Sequence, residues 1–565
     1  VKLRSEVSAE KLRGGFYTPA GLVRHALHRL GELLGTWDDV SVLEPSVGDG
    51  AFVDGLAESS LPVGNFTGLD VDGGAVAVAR QRLERSGIPG EILRSSTLAW
   101  SLDTTREFDA VVGNLPFVRF QFVSVPEREH AMRHGSELGV PVAGVANLWL
   151  PMLLASLRRL RVGGAFALVL PAECFTGVSA GKARQWLLRT VDELRFDLYP
   201  PRSFPGALQE VVLLSGRRAR PSSSELRPLV VSLHSAQHST ALFAQDRGLV
   251  TRHAVAVNDA PWTSLLLRPE HREAVAEARA IPAVRRLDEI AKFEVATVTG
   301  ANAYFSLNES EVSEFGLRPW SRPLLARAKH APGLRFTARD YRNNAASGLK
   351  VHLFDATSSP LERKPGSGLD RYLRRGEDDL IPTRFKCRIR QPWYRIPNIR
   401  HGQLMLSKRS HHHPRVIVND IGCVTTDTIY RGRITDGVTG DADFAAAFHN
   451  SLTLLSAELE GRNFGGGVLE LVPSEVGRLA VVSAPGMARD LPRLDELCRE
   501  CAATGDPAVA TETIVRETDA LLAKQQLGLT GDLLDTLREA HEVLRGRRLA
   551  RASGSDEPAS LNNSE

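Results

Sequence analysis

Between residues 41 and 214 short apolar runs alternate with amphipathic segments, and that alternation restricts the fold more than any other feature of the chain. Strand-like runs stand at 41–43, 65–69, 91–93, 110–113, 164–170, 195–199 and 210–214. Helical spacing fills 51–58, 74–87, 148–161 and 179–194. Such an order predicts an α/β fold, a mostly parallel sheet with helices on both faces. Ahead of it, Thr18-Pro19 reads as a helix start, Thr as N-cap and Pro in the first turn. Leu22, Val23, Ala26, Leu27, Leu30, Leu33 and Leu34 then keep helical spacing.

A chain of 565 residues is too long for one ordinary core, so two folded domains are expected. The Ser-rich stretch 217–226 reads as a loop, and a boundary near 245–283 closes a first domain taken as 1–283. Beyond it come shorter, irregular strands with many turns, a mixed α/β second domain over 284–545. The polar end, 546–565, reads as a disordered tail. No apolar stretch approaches about 18 residues, which argues against a membrane span. The first six residues lack the apolar core of a signal peptide. Five scattered cysteines form no disulfide framework and fit a reducing cytoplasm. Cys498-x-x-Cys501 lacks a second ligand pair and lies in a helical pattern, so no metal site is expected.

Two segments carry chemistry. Val42-Leu43-Glu44-Pro45-Ser46-Val47-Gly48-Asp49-Gly50-Ala51-Phe52 is a strand, a Gly-rich turn and a helix start. Gly48 and Gly50 let backbone amides approach a ligand closely. The G-x-G-x-x-G of dinucleotide folds is absent, since position 53 is Val, which lowers NAD. Glu44 ends the first strand, and Asp70 ends the second, where an acid can hold both hydroxyls of a ribose. The second segment, Asn114-Leu115-Pro116-Phe117, closes the apolar run 109–113. An amide oxygen and a backbone carbonyl can accept the two hydrogens of an exocyclic amine, and an aromatic ring can stack on a flat base.

These segments resemble the (D/E)P(A/S)xGxGxF and (N/D/S)PP(Y/F) patterns of DNA amino-methyltransferases, and Gly15-Phe16-Tyr17-Thr18-Pro19 resembles their N-terminal element. Their order resembles the gamma class of DNA adenine-N6 methyltransferases, the methylases of type II restriction–modification. The resemblance spans about the first 215 residues and loosens beyond. It implies a Rossmann-like S-adenosylmethionine-dependent domain followed by a target-recognition domain. It implies S-adenosylmethionine held by Thr18, Glu44, Ser46, Gly48, Gly50 and Asp70, with Ser96 where the family usually has an Asp facing the cofactor's adenine. It further implies a flipped-out adenine placed by Asn114, Leu115, Pro116 and Phe117 and covered by Phe204 of Ser203-Phe204-Pro205. Leu115 departs from the family's Pro, but the role there belongs to the backbone carbonyl. Cytosine-C5 chemistry needs a nucleophilic Cys, normally after Pro, and the chain has no Pro-Cys.

Net charge is only +3, yet 381–419 holds no acidic residue. Arg384, Lys386, Arg388, Arg390, Arg395, Lys408 and Arg409 lie in it with Trp393 and Tyr394 between, a candidate surface for the phosphates of double-stranded DNA. His411-His412-His413 reads as surface or phosphate contact. Val298-Thr299-Gly300-Ala301-Asn302-Ala303-Tyr304-Phe305 resembles the T-G-x-N-x-(F/Y)-F opening of recognition domains. The expected partners are duplex DNA and a separately encoded restriction endonuclease. An RNA or protein-glutamine N-methyltransferase shares the Asn-Pro-Pro-Tyr pattern, and a catalytically dead DNA-binding subunit fits Leu115 and Ser96. Both stay open at this point.

Overall fold

The computed structural model describes residues 18–142, 147–177, 180–199, 210–234, 249–258, 260–358, 361–464, 466–504 and 507–550. Residues 1–266 and 267–565 form two compact units.

The first unit runs α1 (Ala20–Leu34), β1 (Val40–Glu44), α2 (Ala51–Glu58), β2 (Val63–Asp70), α3 (Gly73–Ser86), β3 (Gly90–Arg94), α4 (Thr97–Asp103) and β4 (Phe108–Asn114). It continues with α5 (Val125–Leu138), α6 (Trp149–Arg158), β5 (Leu160–Pro171), α7 (Glu173–Thr176), α8 (Gly181–Thr190), β6 (Val191–Leu198), β7 (Val211–Arg218), β8 (Leu226–Leu233) and β9 (Leu249–Ala256). The nine strands make one sheet in the order β3-β2-β1-β4-β5-β7-β6-β8-β9. β3, β2, β1, β4 and β5 are parallel, and β7 enters antiparallel between β5 and β6. This is the Rossmann-like architecture expected, with strand order reversing between β1 and β4. In open α/β sheets that switch point, at the C-terminal strand ends, is where ligands bind.

α1 turns Leu22, Val23, Ala26, Leu27 and Leu30 onto the sheet, against Val42, Ala110, Ala167 and Leu213. The helix starts one residue later than the sequence suggests. Pro19 is the N-cap, at ψ 140°, and its carbonyl takes the amides of Leu22 and Val23, so Thr18 does not cap.

A buried ionic catch fastens α1 to β6. Arg29 donates through Nε and Nη2 to the two oxygens of Asp197, at 3.0 and 2.9 Å. His234 meets the same carboxylate at 2.8 Å, and Tyr199 bonds His25 Nδ1 at 2.8 Å. Burial pushes the His25 imidazole down to about 3, despite Asp197 nearby. His25, Asp197 and His234 could in principle hold a metal ion. The Arg29 guanidinium already supplies the compensating cation there.

Among its described residues the second unit carries four small sheets. Ala291–Glu294, Ile429–Ile434, Leu404–Ser407, Val416–Asn419 and Arg335–Phe336 form the largest. Helices dominate after residue 440: Asp441–Ala447, Ser451–Glu460, Leu491–Thr504, Pro507–Lys524 and Gly531–Leu549. Pro269–Ala280 packs on Gly531–Leu549, and the first unit ends at 266, within the expected 245–283 range. Gly531–Leu549 also corrects the expected tail start at 546. Arg548 is fully buried and pairs with Glu458, with Nη2 to Oε1 at 2.6 Å and Nε to Oε2 at 2.9 Å. Residues 551–565 lie outside those described. No helix among the described residues is long and apolar enough to cross a membrane.

Candidate functional site

Three neighbouring strands of the first unit's sheet end in polar side chains around the switch point: Glu44 on β1, Asp70 on β2 and Asn114 on β4. The sheet itself sets this alignment, because Val42 and Leu43 pair in register with Ala110 and Val111.

The turn after β1 is built around Asp70. Its Oδ2 accepts the Gly48 amide at 3.0 Å and its Oδ1 the Asp72 amide at 2.9 Å. Gly48 and Gly50 take left-handed φ of +53° and +92°, which side-chain-bearing residues resist. A Cβ on Gly50 would also stand 3.3 Å from Ala79 Cα. Ser46 sits half-buried in the same turn. Asp70 therefore shapes the loop as well as ending the strand. Asp70→Ala is expected to weaken S-adenosylmethionine binding by tenfold or more, since it removes a charged acceptor and the loop's brace together. Calorimetry checks this, and an unchanged dissociation constant would show the strand-end acid to be misassigned.

Glu44 is the unusual member of the set. Only 1% of it is exposed, and its Oε2 has no hydrogen-bond partner. Burial drives its carboxyl well above the ordinary range, and the charges of Asp70 and Asp49 push the same way. A buried acid without a donor is costly unless a ligand supplies one. A cationic ligand group would favour the ionised form, so binding should expel a proton. Cofactor affinity is therefore expected to rise with pH until the raised titration of empty Glu44 is passed, and then level off. Glu44→Gln should flatten that profile. Proton release measured in buffers of different ionisation enthalpy checks it. Folding stability has the opposite sign: a raised carboxyl pKa lowers it as pH climbs above the unfolded value.

Asn114 is the second orphan. Its Oδ1 is buried without a hydrogen-bond partner. The Leu115 amide donates to the Val169 carbonyl at 3.2 Å, and Pro116 offers no amide. Leu115 is buried, while Phe117 is only partly covered by the sheet core. The segment thus carries an acceptor without a donor at residue 114 and a partly covered ring three residues on.

Ser96 precedes α4 and does not cap it with its side chain. Its hydroxyl instead donates to Glu127 Oε2 at 2.7 Å. Glu127 stands in the first turn of α5, so a carboxylate meets β3's end from another element. Sequence reasoning missed Glu127 because 125–138 is a polar helix with a weak apolar stripe, and only the packing of α5 on α4 brings it near. Thr18 is half-buried, and Phe204 lies outside the described residues.

In the second unit the acid-free stretch divides into different roles. Arg390 donates to the carbonyls of Val298 and Thr299. Lys408 and Arg409 meet Glu470, a carboxylate from outside the stretch, at 3.5 and 2.8 Å. Arg384 is half-buried, while Lys386, Arg388 and Arg395 are exposed. His413 departs from the surface reading: its Nδ1 bonds Thr511 at 2.9 Å, its ring meets His449 edge-on, and burial holds its imidazole well below the ordinary range.

Comparison with known proteins adds the family context. Residues 259–515 match the family model of the C-terminal domain of the type II methyltransferase M.Eco57I. Over 474 residues the chain is 22% identical to Type II methyltransferase M.AccI of Acinetobacter calcoaceticus, covering 82% of this chain and 83% of the relative. Over 169 residues it is 27% identical to the tRNA1(Val) (adenine(37)-N6)-methyltransferase of Bacteroides thetaiotaomicron, covering 28% of this chain and 65% of that protein. The crystal structure of the type IIG restriction endonuclease BpuSI aligns with 95% of this chain and 66% of its own at a TM-score of 0.41 and 14% identity. That likeness is too loose to add to the fold already described.

Proposed function

We propose, from the similarity of the chain to type II restriction–modification methyltransferases, that it is a site-specific DNA methyltransferase acting on adenine N6. The observation that carries the reading is the buried, unpartnered Asn114 Oδ1 at the end of β4, three residues before the partly covered Phe117. An exocyclic amine on a flat base satisfies both. In a restriction system the modified site would be protected from a separately encoded endonuclease.

The cofactor is S-adenosylmethionine, which supplies a methyl group on a sulfonium. The residues present fit it. Glu44 offers a buried carboxylate that lacks a cation, and Asp70 a strand-end acid beside a left-handed Gly turn. Glu127, held by Ser96, adds a carboxylate near the end of β3. The target atom is hidden in a duplex, so the base must be flipped out. Adenine N6 is a poor nucleophile because its lone pair is delocalised into the ring. Asn114 Oδ1 and the Leu115 carbonyl accept its two hydrogens, which favours a pyramidal nitrogen with its lone pair aimed at the methyl. Phe117 stacks on the base and fixes the angle of approach. Positioning and electrostatics do the work, and the proton lost from N6 passes to water.

The name of the tRNA relative keeps adenine in RNA as the second reading. The large second unit, with its exposed Lys386, Arg388 and Arg395, favours duplex DNA. Incorporation of labelled methyl groups from S-adenosylmethionine into unmodified DNA, bulk tRNA and protein separates the readings. Label in DNA adenine is expected. Label in tRNA or protein alone would move the substrate, and absence of cofactor binding would leave a dead subunit.

A further inference from the structure

Leu380, Phe385 and Ile389 are exposed to 64%, 63% and 64%, three large apolar side chains within one short stretch of the second unit. Folded chains rarely leave such a group uncovered without a partner. The stretch is held firmly from behind. Cys387 is buried, with Sγ 3.8 Å from the Thr299 carbonyl. Arg390 donates to the carbonyls of Thr299 and Val298 at 2.6 and 2.7 Å. Gly300, at φ +84°, lets the two segments meet, since a Cβ there would stand 2.7 Å from Lys386 Cβ. Leu380 itself holds a left-handed φ of +56°, a conformation that costs about 1 kcal/mol or more without glycine. The Thr-Gly-x-Asn motif and the acid-free stretch, read separately in the sequence, are thus one structural element.

Cations surround the exposed ring. Lys386 Nζ and the Arg388 guanidinium lie 5.3 and 5.8 Å from the centroid of Phe385. Among the described residues neither they nor Arg395 has a carboxylate partner. Immediately after them a cleft of about 480 Å³ is lined by Arg390, Arg395 and Arg400 together with Ile396, Pro397 and Ile399. A partner must therefore offer apolar faces and closely spaced anions at once. Stacked bases between phosphate backbones do so.

We infer that the 380–389 turn is a wedge that inserts Phe385 and Ile389 at a base step of duplex DNA, with Lys386, Arg388 and Arg395 on the flanking phosphates. The inference rests on the reading of the chain as a DNA enzyme and says which of its residues distort the duplex. The test uses the full chain and a fluorescein-labelled duplex of mixed sequence. Phe385→Ala with Ile389→Ala is expected to weaken binding about tenfold while leaving the slope of log K against log salt unchanged. Lys386→Ala with Arg388→Ala should instead reduce that slope by about two. Should the apolar double variant misfold, Phe385→Trp gives an independent signal: its added indole emission should be quenched by stacking when duplex is supplied. Wild-type affinity in the apolar variant, or an unquenched indole in a chain that binds, overturns the wedge. So does a wild-type dimer in sedimentation that the apolar variant dissolves, which would assign the turn to a second copy. Methyl incorporation into DNA, run on the same preparations, separates the failures. A chain that methylates DNA yet ignores the apolar substitutions loses only the wedge. One that neither binds nor methylates DNA loses the functional reading with it.

Discussion

Asn114→Ala is expected to lower methyl transfer by about 10²–10³-fold with little change in cofactor affinity. The side chain ends β4 with Oδ1 buried and unpaired, so the free protein already bears the cost of an unsatisfied acceptor. A group held in that state contributes when a donor arrives, and the donor proposed here is the reacting amine. Glu44 and Asp70, the proposed cofactor residues, lie on other strands and are untouched by the substitution. The expected signature is a fall in kcat with an unaltered calorimetric dissociation constant for S-adenosylmethionine. Near-normal turnover would remove Asn114 from the reaction. Lost cofactor binding would move it to the other ligand.

The second large effect is on stability. Glu458→Ala is expected to destabilise the second unit by about 3–5 kcal/mol, because it leaves the Arg548 guanidinium buried without its counter-charge. Arg548 is fully buried, and among the described residues its partners beyond Glu458 are the backbone carbonyls of His411, His412 and Gly467. The pair ties Ser451–Glu460 to Gly531–Leu549. Calorimetric unfolding should show one transition moving to lower temperature while the other stays, since the chain has two compact units and is not a single two-state system. Replacing both partners by Met should recover part of the loss, as burying apolar groups of similar volume avoids the unpaired charge. An unmoved transition in the single variant would mean the ion pair adds little to the fold.

The sequence was most legible where burial is two-sided. Val111 and Val112 of β4, and Ala165 to Leu170 of β5, are wholly buried and read as unbroken apolar runs. β9 leaves no clear signal in the sequence, since Leu249–Ala256 lies at the sheet edge with alternating exposed and half-buried residues. α5 was also passed over, its buried face reduced to Ala131, His134 and Gly135. The expected tail start at 546 falls inside Gly531–Leu549 because Arg547 and Arg548 look like solvent-facing charge in a polar run. The distant Glu458 and the carbonyls of His411, His412 and Gly467 hold Arg548 inside.

The site divides the same way. The strand-end positions of Glu44, Asp70 and Asn114 and the left-handed turn at Gly48 and Gly50 are legible because strand ends and such turns leave local signatures. Glu127 was not, because its place beside Ser96 is a tertiary fact. The basic stretch misled in part for the mirror-image reason: a span without acids in sequence still meets Glu470 in space.

The central claim is methylation of adenine N6 in DNA by the Asn114 site. Sequencing DNA from cells that express this chain, by a method that detects modified bases directly, tests it most directly. The account predicts N6-methyladenine at one position of a fixed short sequence throughout that DNA, and its disappearance when Asn114→Ala is expressed instead. DNA without modified adenine, or modification that persists at full level in the Asn114→Ala cells, would contradict it.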